Sequence, residues 1–240
     1  MNSKFVTPEK SYVLYTDKYT CNRFGLAEFF AEHYSEFSNV YEKNILDVGC
    51  GVFPLGIYLA DQYQCKVIGV DINPIAVGCS TKNIRKYKLN DRCSVINSDF
   101  SKSAELLCNV EYDLLVSIPP VDNSVHFEKI EKYTDDQYAS FDDDKYSYIT
   151  NSWHSIDGKD LLDYIFEYAN KNLRIDGRVI IVSCLMTGVT KDYVINKAHE
   201  YGLKESQVVC GRISGKSIGV EMLGIMEVQT AMIAFRKERK

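Results

Sequence analysis

Apolar residues recur along this chain with two periods, and the two alternate. The string "RFGLAEFFAEHYSEF" at 23–37 carries its leucine and phenylalanines at helical spacing and predicts an N-terminal helix. Short, nearly continuous apolar runs then predict strands at 44–48, 66–71, 93–97, 113–117 and 178–184. Segments of helical period between them predict helices at 54–63, 74–87, 101–108 and 158–172. Pro54 and Pro74 stand in a first helical turn, where a missing N–H costs nothing. Asp157, just before Gly158, reads as the cap of the 158–172 helix. Past 184 the pattern changes to a helix at about 190–200 and then "SQVVCGRI" and "EVQTAMIAFR", two strands parted by a Gly-rich segment.

Strands this apolar, each followed by a helix, call for a parallel sheet covered on both faces. The expected fold is therefore α/β, a single doubly wound Rossmann-like domain with a seven-stranded, mostly parallel sheet and an antiparallel last strand. Two stretches break the alternation. Residues 1–43 read as an N-terminal helical extension that covers the site, and 44–240 as the main domain. Residues 118–157, too long for an ordinary connection between strand and helix, read as a substrate-side insertion.

The chemistry gathers at strand ends. "LDVGCGVFPLG" runs a strand into Gly49-Cys50-Gly51, a turn whose glycines let the backbone approach a ligand closely. A dinucleotide fingerprint would place its third glycine at 54, which is Pro54. Asp47, two residues before the turn, would repel a pyrophosphate and suits a ligand that carries an ammonium. The second strand ends in Asp71, about 20 residues after the turn and placed to accept from ribose hydroxyls, with Ile72 next to it for an adenine face. The third ends in Asp99 and Phe100, an acceptor for an exocyclic amine and a wall for a ring. The fourth ends in Ser117-Ile118-Pro119-Pro120.

Taken together these residues resemble the class I S-adenosylmethionine-dependent methyltransferases. The resemblance covers 44–184 and extends to the closing strand pair. It rests on Asp47-x-Gly49-x-Gly51, Asp71, the "SDF" acid Asp99 and the Pro-Pro after strand four; the family's third glycine would fall at Phe53. It implies S-adenosylmethionine as cofactor, with the methionine part at the glycine turn, ribose at Asp71 and the adenine amine at Asp99. "DLLVSIPPV" also resembles the Asn-Pro-Pro-aromatic motif of enzymes that methylate planar amides or exocyclic amines, including release-factor glutamine and rRNA base methyltransferases. Here Ile118 replaces the Asn and Val121 the aromatic.

Composition bears on the acceptor. The chain has 240 residues, is 45% hydrophobic and 25% charged, and carries a net charge of −5. No basic block tracks a phosphate backbone, so nucleic acid is expected not to be a partner. Isoleucine at 118 cannot orient a planar N–H, which predicts an apolar-walled pocket and a small-molecule or peptide acceptor. A macromolecular acceptor, an rRNA base or a protein side chain, is the alternative; a cofactor-binding protein without methyl transfer is another. Substrate-side candidates are Ile118, Pro119, Pro120, Asp122 and Trp153, with Ser117, His126 and His154 as candidate catalytic groups. The eight cysteines form no Cys-x-x-Cys and read as reduced thiols rather than metal ligands. The polar start and the short aliphatic runs predict a cytoplasmic protein without a membrane span.

Overall fold

The computed structural model describes residues 1–18, 20–37, 42–107, 110–119, 160–184, 190–218 and 224–237. Strands β3 (Asn44–Val48), β4 (Lys66–Asp71), β5 (Cys93–Asn97) and β6 (Tyr112–Ser117) fall on the expected apolar runs to within a residue. Helices α2 (Pro54–Gln62), α3 (Pro74–Lys86) and α4 (Phe100–Leu107) follow β3, β4 and β5. Beyond them lie α5 (Leu161–Asn172), β7 (Leu173–Cys184), α6 (Lys191–Glu200), β8 (Leu203–Ser214) and β9 (Glu227–Lys237). Pro54 and Pro74 occupy the first turns of α2 and α3.

The strands form one seven-stranded sheet in the order β5-β4-β3-β6-β7-β9-β8. Pairings from β5 across to β7 are parallel, and β9 runs antiparallel to both of its neighbours. The order reverses between β3 and β6, so a crevice opens there at the carboxyl ends of the strands. One core cluster joins the sheet to α2, α3 and α1 (Gly25–Phe37), and a second joins its other face to α4, α5 and α6. That is the doubly wound arrangement expected of the sequence.

Two differences have local causes. Strand β7 starts five residues ahead of the expected 178, because Leu173 already pairs with Tyr112 before the register shifts to Leu114–Arg178. Helix α5 starts at Leu161 rather than 158, because Asp160, not Asp157, is the cap: its side chain accepts from the Asp163 N–H while Asp163 accepts from the Asp160 N–H. Asp157 lies outside the described residues.

Residues 1–43 hold more than a helix. β1 (Asn2–Val6) and β2 (Ser11–Tyr15) pair antiparallel as a hairpin. The alternation in "SYVLY" turns Tyr12 and Leu14 into the core with Phe5 and leaves Val13 and Tyr15 outside. The hairpin lies on α3. Asn83 accepts the Tyr15 N–H at 2.6 Å and donates to the Tyr15 carbonyl, while the Tyr87 hydroxyl accepts the Val13 N–H.

Gly78 sits inside α3, exposed, and a Cβ added there would meet nothing within 4 Å. Neither packing nor backbone conformation asks for glycine. Gly78→Ala is therefore expected to raise folding stability by about 0.5–1 kcal/mol, read from urea unfolding. A loss of stability would show a constraint that the backbone does not display.

Candidate functional site

Side chains along β3 alternate between the two faces: Ile45 joins the α1–α3 cluster, while Leu46 and Val48 join the α4–α6 cluster. Asp47 thus points toward α2, and its carboxyl is 2% exposed. The turn that follows is held by hydrogen bonds. Gly49 and Cys50 donate their N–H groups to the Val70 carbonyl at 2.8 and 3.1 Å, and the Gly51 N–H donates to Asp71 Oδ2 at 2.7 Å. Gly49 and Gly51 take φ of 70° and 54°, left-handed values that favour glycine, and a Cβ on either would meet nothing within 4 Å. The turn therefore faces open space. Cys50 is turned inward, and burial, with Asp71 and Asp47 nearby, pushes its thiol well above the ordinary range.

Phe53 also has a positive φ, 71°, as the residue that caps α2. Its buried ring lies against Gly56 and Gly69, where a Cβ on either glycine would come within 2.0 and 2.6 Å of it. The backbone adopts the conformation glycine prefers, and burial of the ring offsets the strain.

The three acids differ in their surroundings. Asp47 Oδ2 is buried and has no hydrogen-bond partner among the described residues. Burial, then the neighbouring Asp71, push the Asp47 carboxyl up to about 8, against the pull of the Gly56 N–H. Asp71, on the same face of the adjacent strand, accepts N–H groups from Gly51 and from Asn73 at 2.8 Å, and burial raises its pKa in spite of them. Its lone pairs are not exhausted by two bonds. Asp99 caps α4: Oδ1 accepts the Ser101 N–H and hydroxyl, and Oδ2 lies 3.8 Å from the Lys102 ammonium. Ile72 is half-buried beside Asp71, and its carbonyl accepts from Asn97.

These residues fit the group that the resemblance implies. A buried acceptor without a donor, a glycine turn with free space before it, and a second acid at the next strand end suit a ligand with an ammonium and a ribose. A cavity of about 330 Å³ between Asn44, Lys66, Arg92 and Tyr112 lies at the amino ends of the strands, the wrong edge of an open α/β sheet for such a ligand.

Other expected site residues fall elsewhere. Phe100 is 6% exposed and packs edge-on to Tyr168 with centroids 5.4 Å apart, so its ring is part of the second core cluster. Ser117 is fully buried and donates to the Val48 carbonyl at 2.8 Å, so its hydroxyl ties β6 to β3 at the crevice floor. Ser117→Ala is expected to cost about 1–3 kcal/mol of stability, by leaving the Val48 carbonyl short of a partner, and to keep turnover per folded molecule. Steady-state rates corrected for folded fraction check this; a hundredfold loss would return Ser117 to the catalytic set. Ile118 is half-buried against the first core cluster and Pro119 is buried. Pro120, Asp122, His126, Trp153 and His154 lie outside the described residues.

Two residues escaped the sequence reading. Ser80 and Asn83, both fully buried on the inner side of α3, donate to the carbonyls of Gly51 at 2.7 Å and Val52 at 2.9 Å. They hold the glycine turn from behind. The signal was available: both occupy positions where the period of α3, with Ala76, Cys79 and Ile84, calls for apolar residues.

Comparison with known proteins agrees with this geometry. The family model described as "Methyltransferase small domain" matches residues 27–132. A Methanocaldococcus jannaschii protein named "Putative protein N5-glutamine methyltransferase" is 32% identical over 169 residues, covering 69% of this chain and 73% of its own. The tRNA1(Val) (adenine(37)-N6)-methyltransferase of Porphyromonas gingivalis is 33% identical over 81 residues, 32% of either chain. The crystal structure of a "putative RNA methyltransferase" from Pyrococcus horikoshii shares the fold, with a TM-score of 0.60 at 13% identity over 94% of this chain and 91% of that one.

These matches overturn the exclusion of nucleic acid, since one relative is named for a tRNA base. The physical reason is where the charge sits. Residues 120–159 carry nine acids against four lysines, which accounts for the whole net charge of −5, and the rest of the chain is balanced. No helix among the described residues is long and apolar enough to cross a membrane. A glycine turn backed by a buried acid with one oxygen left without a donor among the described residues, at the switch point of this sheet, and a relative matched along most of both chains, lead to one conclusion: the chain is a class I S-adenosylmethionine-dependent methyltransferase of the small-domain family.

Proposed function

We propose that the acceptor is a planar NH₂ nitrogen, an amide or an exocyclic amine, on a macromolecule. The observation that carries this reading is the likeness to a relative named for glutamine N5 along 69% of this chain, joined by one named for adenine N6. Both named atoms are NH₂ nitrogens on an sp² carbon. The small-molecule acceptor expected from the overall charge has less support, because that charge is confined to one segment.

S-adenosylmethionine supplies a methyl already activated on sulfur. What the chain adds is position and the exclusion of water. In this reading Asp47 meets the ammonium of the cofactor, Asp71 accepts from ribose hydroxyls alongside its two backbone bonds, and Asp99 accepts from the adenine amine through Oδ2. The acceptor lies beside Ile118 and Pro119 at the end of β6. Ile118 has no polar side-chain atom, so backbone carbonyls at the strand end orient the NH₂.

Transfer of a labelled methyl from S-adenosylmethionine to a cell extract tests the reading. Label is expected in material destroyed by protease or by ribonuclease, and enzymatic digestion should release an N-methylated amide residue or a methylated adenine nucleoside. Label confined to the small-molecule fraction would restore the discarded acceptor class.

A further inference from the structure

The outer side of α3 is basic. Residues 74–90 hold four cations, Lys82, Arg85, Lys86 and Lys88, and no acid. Elsewhere many cations are matched, as in Lys10–Asp61, Arg92–Asp91, Arg174–Asp113 and Lys197–Asp163. Lys82 and Arg85 are exposed and meet no acid among the described residues. With Lys86 they share one helical face, three and four residues apart. The same face continues through exposed Gly78 and Pro74 to Asn73, whose N–H is bonded to Asp71. A track thus leads from the cofactor acid down the helix, roughly 14 Å from Asn73 to Lys82 at the helical rise.

Two further features lie on it. Gly78 leaves the helix backbone bare midway along the track, with nothing within 4 Å of where a Cβ would stand. Beside the cations the hairpin presents Tyr15, 39% exposed, with the Lys86 ammonium 4.9 Å from its ring centre, and Lys4 opposite Val13 on the outward face. Spaced cations, a bare strip for close approach and an accessible aromatic ring suit a phosphate backbone with unstacked bases better than they suit an acidic protein.

We propose that this face of α3, with Lys4 and Tyr15 of the hairpin, is where an RNA acceptor lies as it reaches the cofactor crevice. The inference rests on the planar-nitrogen, macromolecular reading above and chooses RNA within it. Asn83 contributes by fastening Tyr15 and the glycine turn to the same helix, which keeps docking surface and cofactor site in one register.

The test uses the full chain and a mixed tRNA preparation as probe. Binding is followed by fluorescence anisotropy between about 50 and 200 mM salt, for wild type, Lys82→Gln/Arg85→Gln and Gly78→Glu. Wild type is expected to bind with a steep salt dependence. The double variant should bind about tenfold more weakly at the lower salt, and its log–log salt slope should shrink by about 1.4, two single-strand phosphate contacts. Gly78→Glu should weaken binding while remaining as stable as wild type, since glycine is the poorer helix former. Cofactor binding by calorimetry should be unchanged in all three. Equal affinities and slopes in wild type and variants overturn the proposal, as does a wild type without salt-dependent RNA binding. Loss of methyl transfer to a protein fraction in the double variant, with no binding to tRNA, overturns it in favour of an acidic protein. If the variants weaken RNA binding as expected but no macromolecule accepts label, the macromolecular reading falls and with it the assignment of the bound RNA as acceptor, while α3 remains an RNA-binding face.

Discussion

Arg178→Ala is expected to lower folding stability by about 3–5 kcal/mol, enough to unfold much of the protein at growth temperature. The guanidinium of Arg178, midway along β7, is 3% exposed. It donates to Glu42 from two nitrogens, the Nε contact measuring 3.1 Å, and to the Phe37 carbonyl at the end of α1. The Tyr34 hydroxyl donates to the same carboxylate. Burial raises the pKa of Glu42, and the Arg178 charge opposes that shift. Removing the arginine leaves a buried carboxylate without its counter-charge, with only the Tyr34 hydroxyl to donate to it, and removes the guanidinium donor of the Phe37 carbonyl, which costs far more than the pair contributes by existing. The double variant Glu42→Leu/Arg178→Met should recover most of the loss. Urea midpoints for the two single variants and the double would settle it. A loss under 1 kcal/mol for Arg178→Ala would mean that water reaches the pair.

The second large effect belongs to Asp47, and its two parts have opposite signs. Burial, with Asp71 nearby, pushes the Asp47 carboxyl up to about 8 in the fold, from about 3.9 in an unfolded chain. Between those values the folded chain holds a proton that the unfolded chain has released. Stability therefore falls as pH climbs through that window, with a slope of up to about 1.4 kcal/mol per unit. Asp47→Asn does not titrate, so it should flatten the profile and leave the ligand-free protein more stable near pH 8. The same variant should bind S-adenosylmethionine or its demethylated product about 10- to 100-fold more weakly, because a bond to a charged group is lost. When the ammonium arrives, the wild-type carboxyl ionises. Binding at pH 6–7 should then release about one proton, seen as a heat that varies with the ionisation enthalpy of the buffer. Buffer-independent heats would place the ammonium elsewhere.

The parallel sheet was legible because its strands are apolar on both faces, and no other arrangement buries such runs. Asp47, Asp71 and Asp99 stood out as candidates because each is an acid at or just past the end of an apolar run; the structure adds that Asp71 also fastens the glycine turn and that Asp99 also caps α4. Phe100 and Ser117 carry structural contacts that the sequence did not display, because a strand end is also where core and crevice meet. From sequence alone the ring that packs on Tyr168 and the hydroxyl that bonds Val48 look like residues aimed at a ligand. The hairpin stayed hidden because its strands are five residues each and too short to distinguish from a Tyr-rich lead-in. The net charge misled by averaging. A segment of nine acids masked a balanced remainder and, within it, a helix with no acid at all.

The hairpin's attachment also makes this a chain that can survive being cut. Phe5, Tyr12 and Leu14 are fully buried, Tyr15 is held by Asn83, and the Tyr12 hydroxyl donates to Asp61 at 2.7 Å. None of these contacts depends on the peptide bonds of 17–24, which lead from β2 to α1. A protease nick there would leave the first sixteen residues docked as a separate fragment. The nicked enzyme would work until dilution let the fragment go, and adding the fragment back as a synthetic peptide would restore it, so that a covalent terminus becomes an exchangeable subunit.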